Sequence, residues 1–237
     1  MARLLLVLAS LALAAALGAA PSPARATDDE NERTVVVPLR VHVVDVDGEP
    51  VVDAPWLDEQ LQEANRVFQP TGVSFQELER QSLDEHFADL VTRRDRNSLA
   101  QFLERGVVNV FVVASMVDVD DQSSMRRGVH WTLQWRPDNH FLVLTSIGPR
   151  TTLAHELGHY FGNRIHTSVF GNIMSYEHGP APSLSAHQRR RVITTARHQL
   201  RSRTLFSVDG WRELESAGRL PRFFYPRRDG TRRNARR

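Results

Sequence analysis

An α/β sandwich with a twisted mixed sheet is the fold this 237-residue sequence predicts, and three observations carry the prediction. Valine-rich runs at residues 34–45 and 107–113 have the composition of buried strands. Apolar residues three and four apart mark helices between and after those runs. The two patterns follow one another as strand, helix, strand, helix, strands, helix, loop and final helix, an order that lays helices on a sheet. An apolar share of 41% is enough for a core and argues against disorder.

The first segment stands apart from that core. Met1-Ala2-Arg3 is a short basic start, residues 4–17 are an almost unbroken apolar run, and residues 18–26 are small, ending in Ala24-Arg25-Ala26. This is the layout of a secretory signal peptide, residues 1–26, cut after Ala26. The run is shorter than the roughly 20 residues that a membrane span needs. No later stretch could span a bilayer, so the expectation is a secreted or extracytoplasmic protein without a membrane span. Residues 27–33 are polar and read as a disordered mature N-terminus.

Residues 34–45 begin the sheet, and Asp45-Val46-Asp47-Gly48 turns the chain. Residues 56–68 read as a helix with Leu57, Leu61, Ala64 and Phe68 on one face. Pro55 suits its first turn, and Pro70 and Gly72 end it. Val73-Ser74-Phe75 reads as a short strand. Residues 82–95 and 98–105 are helix candidates, the second closed by Gly106. Residues 107–113 are the strongest strand and are expected at the sheet centre. Residues 128–135 alternate weakly, as an edge strand does, and residues 141–145 form another short strand. Residues 183–200 fit a last helix with Leu184, Val192 and Ala196 on one side.

There is no cysteine, which excludes a cysteine nucleophile and a thiolate metal ligand and leaves stability to the core and any bound metal. All 30 basic residues are arginine, and without the signal segment 28 of them face 28 acidic groups. Their distribution is uneven. Residues 27–200 carry a net charge of −7 and residues 201–237 a net of +7. The simplest reading of residues 201–237 is an Arg-rich, solvated tail. The alternative is a tail that binds anionic envelope surfaces. No nucleic-acid partner is expected. Two acidic stretches, residues 45–47 and 118–121, raise the question of calcium. In the first, glycine comes too early for an EF-hand and no closing glutamate follows, so it reads as a plain turn; the second reads as a solvated surface loop, and Ca2+ is unsupported.

The chemistry lies in residues 151–162. On a helix, His155 and His159 are one turn apart and face the same way, so both imidazoles can bind one Zn2+ ion. Glu156 lies beside them, placed to accept a proton from a water on that ion. Gly162, His166, Met174 and Tyr176 follow. At these residues the chain resembles the metzincin clan of zinc peptidases, which carry H-E-x-x-H-x-x-G-x-x-H and then a methionine turn. Among them it is most similar to bacterial pappalysin-like and matrixin-like proteins. His155, Glu156, His159 and Gly162 match in register, and Asn172-Ile173-Met174-Ser175-Tyr176 matches the turn.

One departure matters. Asn163, Arg164 and Ile165 stand between Gly162 and His166, one residue more than the clan has. An extra residue adds up to about 3.5 Å of chain, whereas a metal bond tolerates about 0.2 Å, so the loop must bulge. His166 is the nearest candidate for the third ligand, and the following Thr167 resembles the pappalysin-like pattern. His178 is the next candidate. Met174 reads as a core residue beneath the site. Tyr176, taken alone, reads as a buried structural tyrosine, and the resemblance implies a role in steadying the oxyanion. His42, His86, His130, His140, His187 and His198 show no ligand spacing.

The resemblance implies a zincin-like α+β catalytic domain over residues 34–200, its sheet packed on the zinc-binding helix, with a small C-terminal subdomain after the methionine turn. It implies a secreted zinc-dependent endopeptidase that hydrolyses protein or peptide substrates. A non-catalytic zinc-binding relative and an envelope-binding protein are the competing readings.

Overall fold

The computed structural model describes residues 34–221. The expected signal peptide, the mature N-terminus up to residue 33 and the tail from residue 222 lie outside the described residues. β1 (Val35–Val46) is buried at every position from 37 to 44, which is why it reads as an unbroken valine run and not as an alternation. It turns through Asp47 and Gly48, both at positive φ, into β2 (Glu49–Pro50). α1 (Ala54–Phe68) starts at Asp53, whose carboxylate accepts the Trp56 amide at 2.9 Å, with Pro55 in its first turn.

β3 (Val73–Leu83) runs parallel to β1 on one side, and β5 (Val108–Val113) runs parallel to it on the other. β4 (Asp89–Leu90) and β6 (Ser115–Met116) form a separate small parallel pair. β5 then pairs in parallel with β8 (Arg136–Thr145), and β8 pairs antiparallel with β7 (Gly128–Leu133). The sheet is therefore mixed, with β5 central and wholly buried and β7 at the edge.

Two cores lie on the sheet's faces. One joins Val41, Val43, Val110, Val112, Leu142 and Leu144 to Phe68 of α1 and Leu153 and Leu157 of α3 (Thr152–Tyr160). The other joins Phe111, Val113, Phe141 and Val143 to Leu90, Leu99, Leu103 and Met116. α2 (Arg93–Ser98) opens on a capping box between Thr92 and Asp95. α4 (Ala186–Arg201) opens on another, between Ser185 and Gln188.

Three expectations change. The strand expected at Val73-Ser74-Phe75 extends to Leu83. Its far half is polar because it is an outer strand whose side chains face solvent and pair ionically, Arg80 with Glu77 and Glu79 with Arg40 of β1. The helix expected over residues 82–95 is instead the end of β3, a 3₁₀ turn at Glu85–Phe87, β4 and the start of α2. The one expected over residues 98–105 continues α2 as a 3₁₀ turn, Leu99–Phe102, and the chain then turns at Gly106, at φ +84°.

The Arg-rich end also differs from a wholly solvated tail. α5 (Val208–Ser216) follows α4 and buries Val208 and Trp211. The Phe206 amide donates to Gly106 O at 2.9 Å, and a Cβ on Gly106 would lie 2.2 Å from the Phe206 ring, so only glycine admits this return. No helix among the described residues is long and apolar enough to cross a membrane.

Candidate active site

α3 carries the motif, and its start is fixed from α1. Thr151 makes no side-chain cap. The fully buried Gln60 takes that role, accepting the Leu153 amide at 2.9 Å and donating to Pro149 O at 2.9 Å. Gly158, in the middle of α3, lies against the buried Met174. A Cβ there would sit 2.3 Å from the Met174 sulfur, so the methionine turn packs under the helix only because residue 158 is glycine. The turn is tied to α4, where Asn172 and Gln188 exchange side-chain hydrogen bonds at 2.8 and 3.1 Å.

The extra residue is accommodated by Gly162, at φ +93°. The Asn163 amide then donates to Gly158 O at 2.9 Å, and Ile165 is turned out to 79% exposure. The bulge brings His166 back over the helix. The Nε2 atoms of His155, His159 and His166 stand 3.1–3.2 Å from one another. His155 Nδ1 donates to Ile173 O at 2.7 Å, and His159 Nδ1 donates to Asn163 O at 2.8 Å. Those bonds place the ring protons on Nδ1 and leave both Nε2 lone pairs facing one point.

Two such lone pairs 3.2 Å apart repel unless a cation lies between them. On a tetrahedral ion with the usual zinc–nitrogen distance of about 2.0–2.1 Å, ligand nitrogens stand about 3.3–3.4 Å apart. The donor set and spacing therefore fit zinc. These three are the one group of metal-capable side chains among the described residues. Burial holds the His155 imidazole down at about 3, helped by His159, and the His159 imidazole at about 4; burial also lowers His166. All three are poised neutral, as ligands must be.

Glu156 is 5% exposed on the same turn. Burial pushes its carboxyl up to about 8, offset in part by the His130 backbone amide and the charge of Arg126. A Cβ on Gly128 would come within 2.9 Å of Glu156 Oε1, so β7 passes close to the carboxylate only as glycine.

Tyr176 is 70% exposed, not buried. It stacks on His166 with ring centres 4.3 Å apart, its hydroxyl 3.2 Å from His166 Nδ1. The turn projects it onto His166 alone, which leaves it little protein to pack against. His178 stays out of the triangle. Its Nε2 donates to Ile173 O at 2.9 Å, and its Nδ1 accepts from the Thr151 hydroxyl at 2.9 Å.

A cleft of about 1140 Å3 runs past the three histidines, Glu156, Tyr176 and the free edge of β7. Its wall holds residues that spacing alone did not mark. His130 and His140 lie 2.7 Å apart by nitrogen, and His140 stacks on Tyr160 at 4.2 Å. The acidic loop reaches the wall too, with Asp118 paired to Arg126 and Asp120 to Arg93, while Asp121 accepts from the Ser123 and Ser124 hydroxyls. Glycine inside a helix, at Gly158, is a signal in the sequence that flags a close approach.

No protein-family model matches this chain, and no curated protein matches it. Solved structures do. Mirolysin in complex with a compound aligns over 73% of this chain and 94% of its own, with a TM-score of 0.55 and 13% identity. A promirolysin variant from Tannerella forsythia aligns over 73% and 84%, with a TM-score of 0.51 and 11% identity. Both are metallopeptidases. The likeness shows that this chain shares their mixed α+β fold.

Proposed function

We propose that this chain is a zinc-dependent endopeptidase, exported and acting on protein or peptide substrates. The observation that carries the reading is the triangle of Nε2 atoms 3.1–3.2 Å apart, with the buried Glu156 on the same helix turn. His155, His159 and His166 would hold the ion. A bound zinc ion supplies positive charge that polarises a carbonyl, acidifies water and draws Glu156 towards its ionised form.

The remaining work falls to the protein. Ile173 O and Asn163 O fix the two helix imidazoles. Glu156 receives a proton at its carboxylate as the general base and returns it to the leaving amine. The free edge of β7 offers backbone hydrogen bonds to an extended peptide, and Gly128 lets that peptide pass close to Glu156. Tyr176 holds a hydroxyl over the site, where an oxyanion forms. His166-Thr167 and the Met174–Tyr176 turn support kinship with pappalysin-like and matrixin-like enzymes.

The test joins zinc stoichiometry with hydrolysis of a quenched generic peptide. One zinc per chain is expected, with activity lost to a strong chelator and regained with zinc. Glu156→Gln should keep the zinc and lose about 10³-fold or more in kcat. Zinc bound without hydrolysis in the unmodified chain would leave the non-catalytic zinc-binding reading.

A further inference from the structure

Threonine at a helix start usually turns its hydroxyl onto the helix's own amides. Thr151 does not, and the buried Gln60 of α1 caps α3 in its place. The Thr151 hydroxyl donates instead to His178 Nδ1 at 2.9 Å. His178 is half-buried beyond the methionine turn, and its Nε2 donates to Ile173 O at 2.9 Å. The same carbonyl accepts His155 Nδ1 at 2.7 Å, so both its lone pairs are taken, by two rings whose centres lie 5.6 Å apart. The His155 amide in turn donates to Thr151 O at 3.0 Å. Four hydrogen bonds thus close a ring that leaves His155 at its amide, passes through Thr151, His178 and Ile173, and returns to His155 at Nδ1.

We infer that His178 is a positioning residue of the metal site: held by Thr151, it fixes the Ile173 carbonyl that orients the ligand His155. By spacing His178 is a candidate ligand; the fold uses it one hydrogen bond further from the ion. The ring explains why Thr151 gives up its cap. It also joins the first turn of α3 to the methionine turn by polar bonds, in addition to the packing of Met174 on Gly158. The effect is one of direction. A zinc–nitrogen bond needs the Nε2 lone pair aimed at the ion, and a carbonyl anchored by two rings lets the ligand imidazole swing less than one anchored by His155 alone. The inference rests on the three-histidine metal reading and not on hydrolysis.

The experiment loads the full chain with zinc, or with cobalt, whose visible absorption reports the geometry of its ligands. His178→Phe keeps a ring and removes both polar contacts. At saturating metal it should still bind one zinc per chain, with an affinity about 10–100-fold lower by chelator competition and a shifted cobalt spectrum. His178→Gln keeps a donor and an acceptor, and should recover most of the affinity and the unmodified spectrum. Thr151→Val, a milder change that leaves His178 in place, should move both readouts the same way by less. Added to His178→Phe it should cost nothing more, because the two residues act through one carbonyl. On the quenched peptide, His178→Phe should lower kcat with KM unchanged. Zinc affinity and a cobalt spectrum that stay put in both His178→Phe and Thr151→Val overturn the inference. Zinc lost altogether from a folded His178→Phe chain overturns it too, since His178 would then be a ligand. If the unmodified chain hydrolyses nothing while its zinc affinity still depends on His178, the peptidase reading fails and the assignment of His178 stands.

Discussion

Two groups of histidines line the cleft, and they differ in what their nitrogens have to do. His130 and His140 face each other at 2.7 Å, so one donates and the other accepts, and the pair satisfies itself. His155, His159 and His166 are as close together, yet two of them have spent their protons on the carbonyls of Ile173 and Asn163. Their remaining nitrogens are lone pairs that converge. Both groups line one cleft and, His155 apart, all are half-buried, so burial does not separate them. Proton bookkeeping does: two acceptors whose own protons are spent elsewhere and that face one point suit a cation, and a donor–acceptor pair does not.

The largest expected effect breaks the triangle. His166→Ala should weaken zinc binding well beyond the about 10–100-fold that outer partners carry, and should remove activity. His140→Ala should leave zinc at one per chain. His178→Ala should do so too, because its nitrogens are engaged with Ile173 and Thr151. Metal content by mass spectrometry under native conditions reads all three. Zinc lost from His178→Ala and kept in His166→Ala would move the third ligand beyond the methionine turn.

A smaller effect is expected where β7 joins the two groups. Gly128 and His130 occupy the same face of that strand, the first against Glu156 and the second against Tyr160. Gly128→Ala places a Cβ 2.6 Å from Thr152 Cγ2 and 2.9 Å from Glu156 Oε1, and both side chains must move. Zinc content should hold while kcat falls about 10–100-fold, as misplacement of a catalytic group by an ångström costs. Wild-type kcat in this variant would show that the carboxylate has room to spare.

The smallest effect separates the groups by pH. Burial holds His130 at about 3 and His140 at about 4, each below the ordinary 6.5. The folded chain therefore keeps both neutral, while the unfolded chain takes up protons below 6.5. Their contribution to stability is present above pH 6.5 and is lost as pH falls towards 4, by on the order of a few kcal/mol for the pair. In chelated protein, urea unfolding at pH 7 and pH 5 should show a smaller difference for His130→Phe/His140→Phe than for wild type. The triad is common to both proteins and drops out of the comparison. An equal pH difference in the two would show that the pair titrates normally.

Much of the fold could be read without coordinates. Residues 107–113 announce a central strand because both their faces are covered, and α1 shows its apolar stripe and its Pro55 start. β3 was cut short because an outer strand with ion-paired side chains has the composition of a loop or helix. α5 was hidden because its buried face rests on only Val208 and Trp211, too few for a period to emerge from arginine-rich surroundings.

The sequence by itself determined the helix face shared by His155 and His159, the neighbouring Glu156, and the need for a bulge before His166. These follow from the 3.6-residue turn and from chain length, which are local properties. Only the tertiary structure decided that the bulge closes on His166, that His178 is bonded elsewhere, and that Tyr176 stands exposed against His166. Those outcomes depend on carbonyls, glycines and salt bridges brought together from far apart in the chain. Gln60 reaches across to α3, Gly158 admits Met174, and Asp118 fixes Arg126. No spacing along a sequence encodes where such partners meet, because their approach is set by packing around a core that all of them share.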